Sequence, residues 1–316
     1  MDEISRRKTL HRRARPDYRW EGVERLPYKE EERARFKSVS RQVLFSDPDL
    51  AGELATAFGG PRHGLDGLRR RVGAPERALT CSALKPQGLP AARLAEVATK
   101  FARGGVDYIK DDHGLADQAF SPFAARLEAI APALRAVEKA RGRAARYVPS
   151  LSGDLDAMRA QIALAKDAGV DTVMVAPMIA GLSNFHRLVR ENPSIAFVAH
   201  PTMAGAARIA PALLLGRLFR VLGADAVVFP NYGGRFGYSP DTCRALARAA
   251  LDERDGLRPA VPMPAGGMTT DRVREMLDFY GAEVMLLIGG ALLEARENLR
   301  EATSAFVAEV HRYAYG

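Results

Sequence analysis

The densest cluster of residues capable of chemistry is Lys110-Asp111-Asp112-His113, which follows the strand-like apolar segment 106–109 directly. Four polar residues in a row are difficult to place in a hydrophobic core. Carboxylate oxygens are the ligands that Mg2+ prefers, so this cluster could hold a metal ion. An exposed turn could carry the same residues simply because they are well solvated.

Two further polar residues end apolar runs. Lys85 ends the run 78–85, and His200 ends the run 195–200. Lys85 is either a surface charge or an acid–base group whose amine has become less basic by desolvation. His200 is either a hydrogen-bonding cap or a group that contacts a ligand or takes part in catalysis.

Two Gly-Gly turns follow the last two apolar runs, at Gly266-Gly267 and at Gly289-Gly290. Glycines let backbone N–H groups approach an anion closely, particularly beside a helix N-terminus. One such turn is common, but two at corresponding positions predict a phosphate site.

The Gly-rich loop 230–239 carries Asn231 and Arg235, which are candidates for substrate contact. The chain has two cysteines, Cys81 and Cys243, without the spacing of a metal site. Cys81 falls within a predicted strand and Cys243 early in a predicted helix, so neither is expected to be a nucleophile.

Eight short apolar runs carry these residues, and most are separated by segments with helical periodicity that end in glycine. The runs are 78–85, 106–112, 144–151, 171–177, 195–200, 225–230, 259–265 and 283–289. This order predicts an α/β fold of the (β/α)8 TIM-barrel type, whose active site lies at the carboxyl ends of the strands. A doubly wound open sheet would instead have a Gly-rich fingerprint after the first strand, where this chain has Lys-Pro-Gln-Gly.

Composition narrows the class of protein. The 316 residues carry a net charge of +8, with 47% hydrophobic and 27% charged residues. Arginines are interleaved with Asp and Glu, which argues against nucleic-acid binding, although a basic N-terminal arm keeps that alternative open. No apolar run reaches the length of about 18 residues that spans a bilayer, and the charged N-terminus lacks a secretory signal. We expect a cytoplasmic protein with no membrane or nucleic-acid partner and a small anionic substrate.

The N-terminal residues do not share the strand–helix rhythm. We predict a short irregular extension over 1–57, poorly ordered in parts of 1–45, followed by the barrel over 58–316. Segment 59–73 should lie across the lower end of the barrel.

Five segments in order resemble the RuBisCO large-chain superfamily and, within it, the RuBisCO-like proteins. They are LKPQGLP, GGVDYIKDDHGLADQAFSPFAAR, FVAHPTMAGA, PAGGM and LLIGG. The resemblance implies that Lys110 reacts with CO2 to form a carbamate and that Asp112 is a second Mg2+ ligand. The family has Glu at the third ligand position, where this chain has His113, a poorer Mg2+ ligand. Lys85 would be the general base or acid, His200 an auxiliary group, and the four glycines the phosphate site.

Departures from the family argue against CO2 fixation. Gln87 stands where the family has a second lysine, and Pro201 where it has an arginine. The features that still match the family are the metal site, Lys85 and the phosphate glycines. They suit enolisation of a phosphorylated ketose or oxo sugar acid by a Mg-dependent lyase or isomerase. The KDDH variant and the KPQG turn favour a decarboxylase or an isomerase over the enolase of methionine salvage.

The family's large N-terminal domain has no counterpart in residues 1–57, and residues 1–50 resemble the start of a cupin protein. A homodimer is implied, although the usual interface would be reduced. The alternative hypothesis is therefore an impaired barrel that only binds a sugar phosphate or a partner subunit.

Overall fold

Parallel strands form the centre of the molecule. The computed structural model describes residues 57–234, 237–253 and 256–315. The strands are β1 Leu79–Leu84, β2 Tyr108–Asp111, β3 Arg146–Val148, β4 Thr172–Val175, β5 Ala196–Ala199, β6 Ala226–Pro230, β7 Val261–Ala265 and β8 Met285–Leu287. Each lies within one of the runs predicted from the sequence.

The sheet closes on itself. Its strand order is β3-β2-β1-β8-β7-β6-β5-β4, and all pairs are parallel. β3 and β4 are joined just beyond the end of β3 by a parallel bridge between Ser150 and Met174. Two backbone hydrogen bonds of 2.9 Å, from Leu151 N–H to Met174 O and from Met174 N–H to Pro149 O, form this junction. The predicted (β/α)8 barrel is therefore confirmed.

Helices surround the barrel. The α-helices are Gly64–Val72, Ala91–Gly104, Phe123–Arg141, Leu155–Asp167, Pro177–Ala180, Leu182–Glu191, Phe219–Val221, Pro240–Leu251, Val273–Tyr280, Gly290–Leu293 and Leu299–Arg312. A π-helical segment covers Ala212–Leu218, and 3-10 turns cover Ala204–Ala206, Thr270–Arg272 and Arg296–Asn298. No helix in these described ranges is long and apolar enough to cross a membrane.

Local sequence explains where the helices begin and end. The Asp154 side chain accepts a hydrogen bond of 2.8 Å from Ala157 N–H, and Ser239 caps the helix after β6 in the same way. Gly105 and Gly142 follow their helices in the left-handed conformation, which glycine adopts without strain.

Strand alternation divides the core into two layers. In β2, Tyr108 belongs to the core inside the barrel, whereas Ile109 belongs to the layer between strands and helices. The same period of two places Lys110 inward and Asp111 outward. This alternation decides which polar side chains at the strand ends face the barrel axis.

The segment before β1 closes the amino-terminal end of the barrel, as the sequence predicts for 59–73. Leu65 and Leu68 of its helix pack against interior strand residues, and Tyr108 OH donates to Leu68 O at 2.8 Å. Buried Asp225 accepts hydrogen bonds of 2.7 and 2.8 Å from the backbone N–H groups of His63 and Gly64.

The predicted N-terminal extension, including its cupin-like part, lies outside the described residues except for its last residue, Ala57.

Replacement of Asp225 by alanine should destabilise the protein. Three backbone N–H groups, those of partly buried His63 and of buried Gly64 and Phe197, would lose their acceptor. We expect the free energy of unfolding in urea to fall by about 3 kcal/mol, because unpaired buried donors are costly. Asp241→Ala removes an exposed carboxylate and should leave the transition close to wild type. Equal stability of the two variants would contradict this role for Asp225.

Candidate active site

The carboxyl ends of the strands enclose a cavity of about 780 Å³. It brings together residues that the sequence analysis singled out from five separate segments. These are Lys85, Lys110, Asp112, His113, His200, Gly266, Gly267, Gly289 and Gly290. The barrel topology accounts for the convergence, because all parallel strands end at the same face.

Lys110 is the most deeply placed of the charged residues. Only 4% of it is exposed, and its Nζ donates to the backbone carbonyl of Asp111 at 2.6 Å. Burial lowers the pKa of Lys110 below its usual value, although the charges of Asp112 and Asp111 oppose the shift. The site therefore favours the neutral amine more than water does.

Asp112 is the carboxylate at the centre of the site. Its Oδ1 accepts hydrogen bonds from Gly114 N–H at 2.9 Å and from Gln87 Nε2 at 3.0 Å, and its Oδ2 lies 3.2 Å from Lys85 Nζ. Burial alone would raise the pKa of Asp112, but these donors and the Lys85 charge outweigh it and lower the pKa. Asp112 is therefore ionised at neutral pH.

Asp111 points away from the cavity. It contacts Arg126 Nε at 3.2 Å, Tyr147 OH at 2.7 Å and Ser150 N–H at 3.0 Å, and both it and Arg126 are fully buried. It fixes the end of β2 and leaves the two inward residues on either side of it facing the cavity.

Two histidines stack beside these groups. The rings of His113 and His200 have centroids 4.8 Å apart and lie within 8° of parallel. Burial, followed by the charges of Lys110 and His113, lowers the pKa of His200 to about 2, so its ring is neutral. His200 Nδ1 is 2.6 Å from the hydroxyl of Thr202, a partner that sequence reasoning missed.

The glycines form another part of the cavity wall. A side chain at Gly266 or Gly290 would meet no atom within 4 Å, so both face open space. Gly267 has φ +66°, and a Cβ there would lie 2.6 Å from Gly234 Cα. Only glycine fits at position 267, and this close packing holds the loops after β6 and β7 together.

Asn231, a candidate for substrate contact, does not line the cavity. It is 1% exposed and accepts a hydrogen bond of 2.7 Å from Tyr280 OH, while its Nδ2 lies 3.1 Å from the sulfur atoms of Met268 and Met276. Its amide supports the protein interior. Arg235, the other predicted contact in this loop, lies outside the described residues.

Apolar side chains also line the cavity, and they carry no separate signal in the sequence. Met203, Val228, Tyr238 and Leu287 are among them. Such residues are indistinguishable from core residues until the fold places them. Met203 is 60% exposed and has φ +65°, an uncommon conformation for a residue other than glycine.

The unmodified side chains do not by themselves fit Mg2+. In the part of the chain that the structure describes, no group of three or more His, Cys, Asp or Glu residues is placed to hold a metal ion. Asp112 supplies one carboxylate, and its Oδ1 already accepts two hydrogen bonds. A lysine amine is not the hard oxygen ligand that Mg2+ prefers.

Comparison with known proteins identifies relatives of this architecture. Residues 64–297 match the family described as ribulose bisphosphate carboxylase large chain, catalytic domain. The chain is 57% identical over 274 residues to the 5-methylthioribulose-1-phosphate isomerase of Rhodospirillum rubrum, covering 86% of this chain and 73% of that protein. It is 32% identical over 263 residues to a 2,3-diketo-5-methylthiopentyl-1-phosphate enolase of Geobacillus thermodenitrificans, covering 81% and 64%.

A solved structure shows the same relationship. The crystal structure of a Rubisco-like protein from Rhodopseudomonas palustris superposes with a TM-score of 0.83 at 53% sequence identity, covering 89% of this chain and 78% of that one.

The cysteines should be unreactive in the folded protein. Burial raises the pKa of Cys81 to about 12 and also raises that of Cys243, so both thiols stay protonated and shielded at pH 8. Titration with a thiol-specific disulfide reagent at pH 8 should detect almost no thiol in the native protein and both after denaturation. Rapid reaction of either thiol in the native protein would contradict the structure.

Proposed function

The chain belongs to the ribulose bisphosphate carboxylase large-chain family as a RuBisCO-like protein, and we propose that it isomerises a phosphorylated ketose without fixing CO2. The proposal rests on the contents of one cavity. It holds acid–base groups and four glycines suited to phosphate within reach of one small molecule. The 57% identity to a 5-methylthioribulose-1-phosphate isomerase supports the isomerase over the other reactions of the family.

The acid–base roles follow from the contacts around Asp112. Lys85 is 41% exposed at its side chain, faces the cavity and pairs with Asp112 at 3.2 Å. We assign to it the role of general acid or base in the enolisation: the ammonium group donates a proton to the substrate, and the amine that this leaves can take a proton from the carbon beside the carbonyl. Lys110 is the second catalytic group, and neutral His200 is an auxiliary hydrogen-bonding group beside it.

The other end of the substrate is assigned to the glycines. Gly266, Gly267, Gly289 and Gly290 would present backbone N–H groups to the phosphate. The apolar side chains that line the cavity, among them Met203, Val228, Tyr238 and Leu287, suit a methylthio substituent. An oxo sugar acid has no apolar substituent to place against these side chains. The decarboxylase is therefore the second candidate.

Metal binding at this site would require prior modification. Reaction of neutral Lys110 with CO2 would replace the amine by a carbamate, which supplies oxygen donors. Lys110 as carbamate, Asp112 and, less suitably for Mg2+, His113 would then be the ligands. The proposed roles of Lys85, His200 and the glycines do not depend on this step.

We also propose that the enzyme works in the cytoplasm as a homodimer, with a small phosphorylated sugar as its partner and neither nucleic acid nor membrane. The two free cysteines are compatible with a reducing compartment.

Solvent exchange tests the proposed enolisation directly. In D2O with Mg2+ and bicarbonate, NMR should show deuterium entering 5-methylthioribulose 1-phosphate beside its carbonyl, together with an isomer. Lys110→Ala should reduce exchange at least about a hundredfold, the usual scale for loss of an acid–base group, while the protein stays folded by circular dichroism. Exchange that survives in Lys110→Ala would contradict the role of Lys110. A wild type that is stabilised by the substrate but exchanges nothing would support the binding-only alternative.

A matched pair of variants at Gly290 tests the phosphate assignment. A Cβ at this position meets nothing within 4 Å, so a side chain can be accommodated. Gly290→Asp places a negative charge beside the phosphate and should raise KM about tenfold more than the neutral Gly290→Asn. The difference in KM should shrink in high salt, because screening weakens the repulsion. Equal KM values would place the phosphate elsewhere.

A further inference from the structure

The Asp112 carboxylate is held by groups from two different loops. Gly114, in the loop after β2, donates its backbone N–H to Asp112 Oδ1, and Gln87, in the loop after β1, donates its side-chain amide to the same oxygen. The second oxygen, Oδ2, then faces Lys85 Nζ at 3.2 Å. The orientation of one carboxylate therefore depends on a contact between two loops.

Gly114 leaves the space that Gln87 occupies. An ideal Cβ at position 114 would lie 1.7 Å from Gln87 Nε2 and 2.7 Å from Gln87 Cδ. Gly114 is not among the glycines with positive φ, so its backbone conformation does not require glycine. What glycine provides here is room for the amide of Gln87 against Asp112.

We propose that Gln87 and Gly114 form a clasp that positions Asp112, and through it Lys85, for proton transfer. Gln87 is the positioning residue, and Gly114 both contributes a hydrogen bond and admits the Gln87 amide. This inference rests on the proposed function for its catalytic consequence, whereas the clasp itself is a structural claim that can be tested alone.

The neutral amide explains the residue type at position 87. A glutamine donates to Oδ1 without adding a positive charge, so the ionic partner of Asp112 remains Lys85. A lysine at position 87 would place a second ammonium group near the same carboxylate and compete with Lys85.

Crystal structures of Gln87→Ala and Gly114→Ala test the clasp without reference to activity. In Gly114→Ala the new methyl group should displace the Gln87 side chain into solvent. The cost in stability should be small, because Gln87 is already exposed. In both variants the Asp112 carboxylate should rotate and its Oδ2 should leave hydrogen-bonding distance of Lys85 Nζ. A carboxylate that stays 3.2 Å from Lys85 in both variants would overturn the proposal.

A double-mutant cycle tests the catalytic consequence. Each single variant should lower kcat about tenfold, with a smaller change in KM, because a misplaced acid–base group reduces the rate of the chemical step. The double variant should lose no more than either single variant, since both remove the same contact. Additive losses, or wild-type kcat in either single variant, would overturn the proposal.

Gly104→Ala is the matched control. A Cβ there would lie 2.4 Å from Thr303 Cβ, in helices remote from the cavity, so it should lower Tm but leave kcat unchanged at a temperature where the protein is folded. Gly114→Ala should lower kcat and leave Tm close to that of the wild type. If the wild type exchanges none of the substrates, the proposed function fails, and the position of Asp112 in the crystals still decides for or against the clasp.

Discussion

The buried contact between Asp111 and Arg126 is the interaction on which the site depends. Asp111 is held on the outer side of β2 by Arg126, Tyr147 and the Ser150 backbone, all within 3.2 Å. Since strand residues alternate in direction, this outward anchor leaves the neighbours of Asp111 facing the cavity. Replacement of either Asp111 or Arg126 would leave the other charge buried without its partner and would strongly destabilise the fold. The same contacts join the ends of β2 and β3, so a structural pair sets the geometry of a chemical site.

The two ends of the barrel differ in role: contacts at the amino-terminal end stabilise the fold, and the carboxyl-terminal end carries the candidate active site. At the amino-terminal end, Asp225 and the helix Gly64–Val72 close the interior with hydrogen bonds and apolar packing. At the carboxyl-terminal end, by contrast, Lys85, Lys110 and Asp112 line an open cavity. The contacts at the lower end tie the segment before β1 to the strands, whose other ends carry the polar groups of the cavity. This division is typical of the fold, in which loop residues can vary while the strands stay in place.

Sequence reasoning succeeded where a signal is local. Each strand was predicted from a short apolar run, and the convergence of Lys85, Lys110 and His200 followed from strand ends meeting at one face. It failed where a role depends on contacts between distant segments. Asn231 resembles a ligand-binding amide in a Gly-rich loop, but in the structure it accepts a hydrogen bond from Tyr280, 49 positions away. The packing of Gln87 against Gly114 was likewise not predictable, because it joins two loops that meet only in the fold. The same holds for the apolar residues that line the cavity.

In the proposed complex, one substrate spans the cavity, with its phosphate at the glycines and its reacting carbons beside Lys85 and Lys110. A crystal structure with a substrate analogue tests this directly. Reduction of the carbonyl of 5-methylthioribulose 1-phosphate gives an alditol phosphate, and this analogue cannot enolise because it has no carbonyl. We predict phosphate oxygens within hydrogen-bonding distance of the backbone at Gly266–Gly267 and Gly289–Gly290, and the reduced carbon facing the two lysines. An alditol bound in the reverse orientation, or outside the cavity, would contradict this mode of substrate binding.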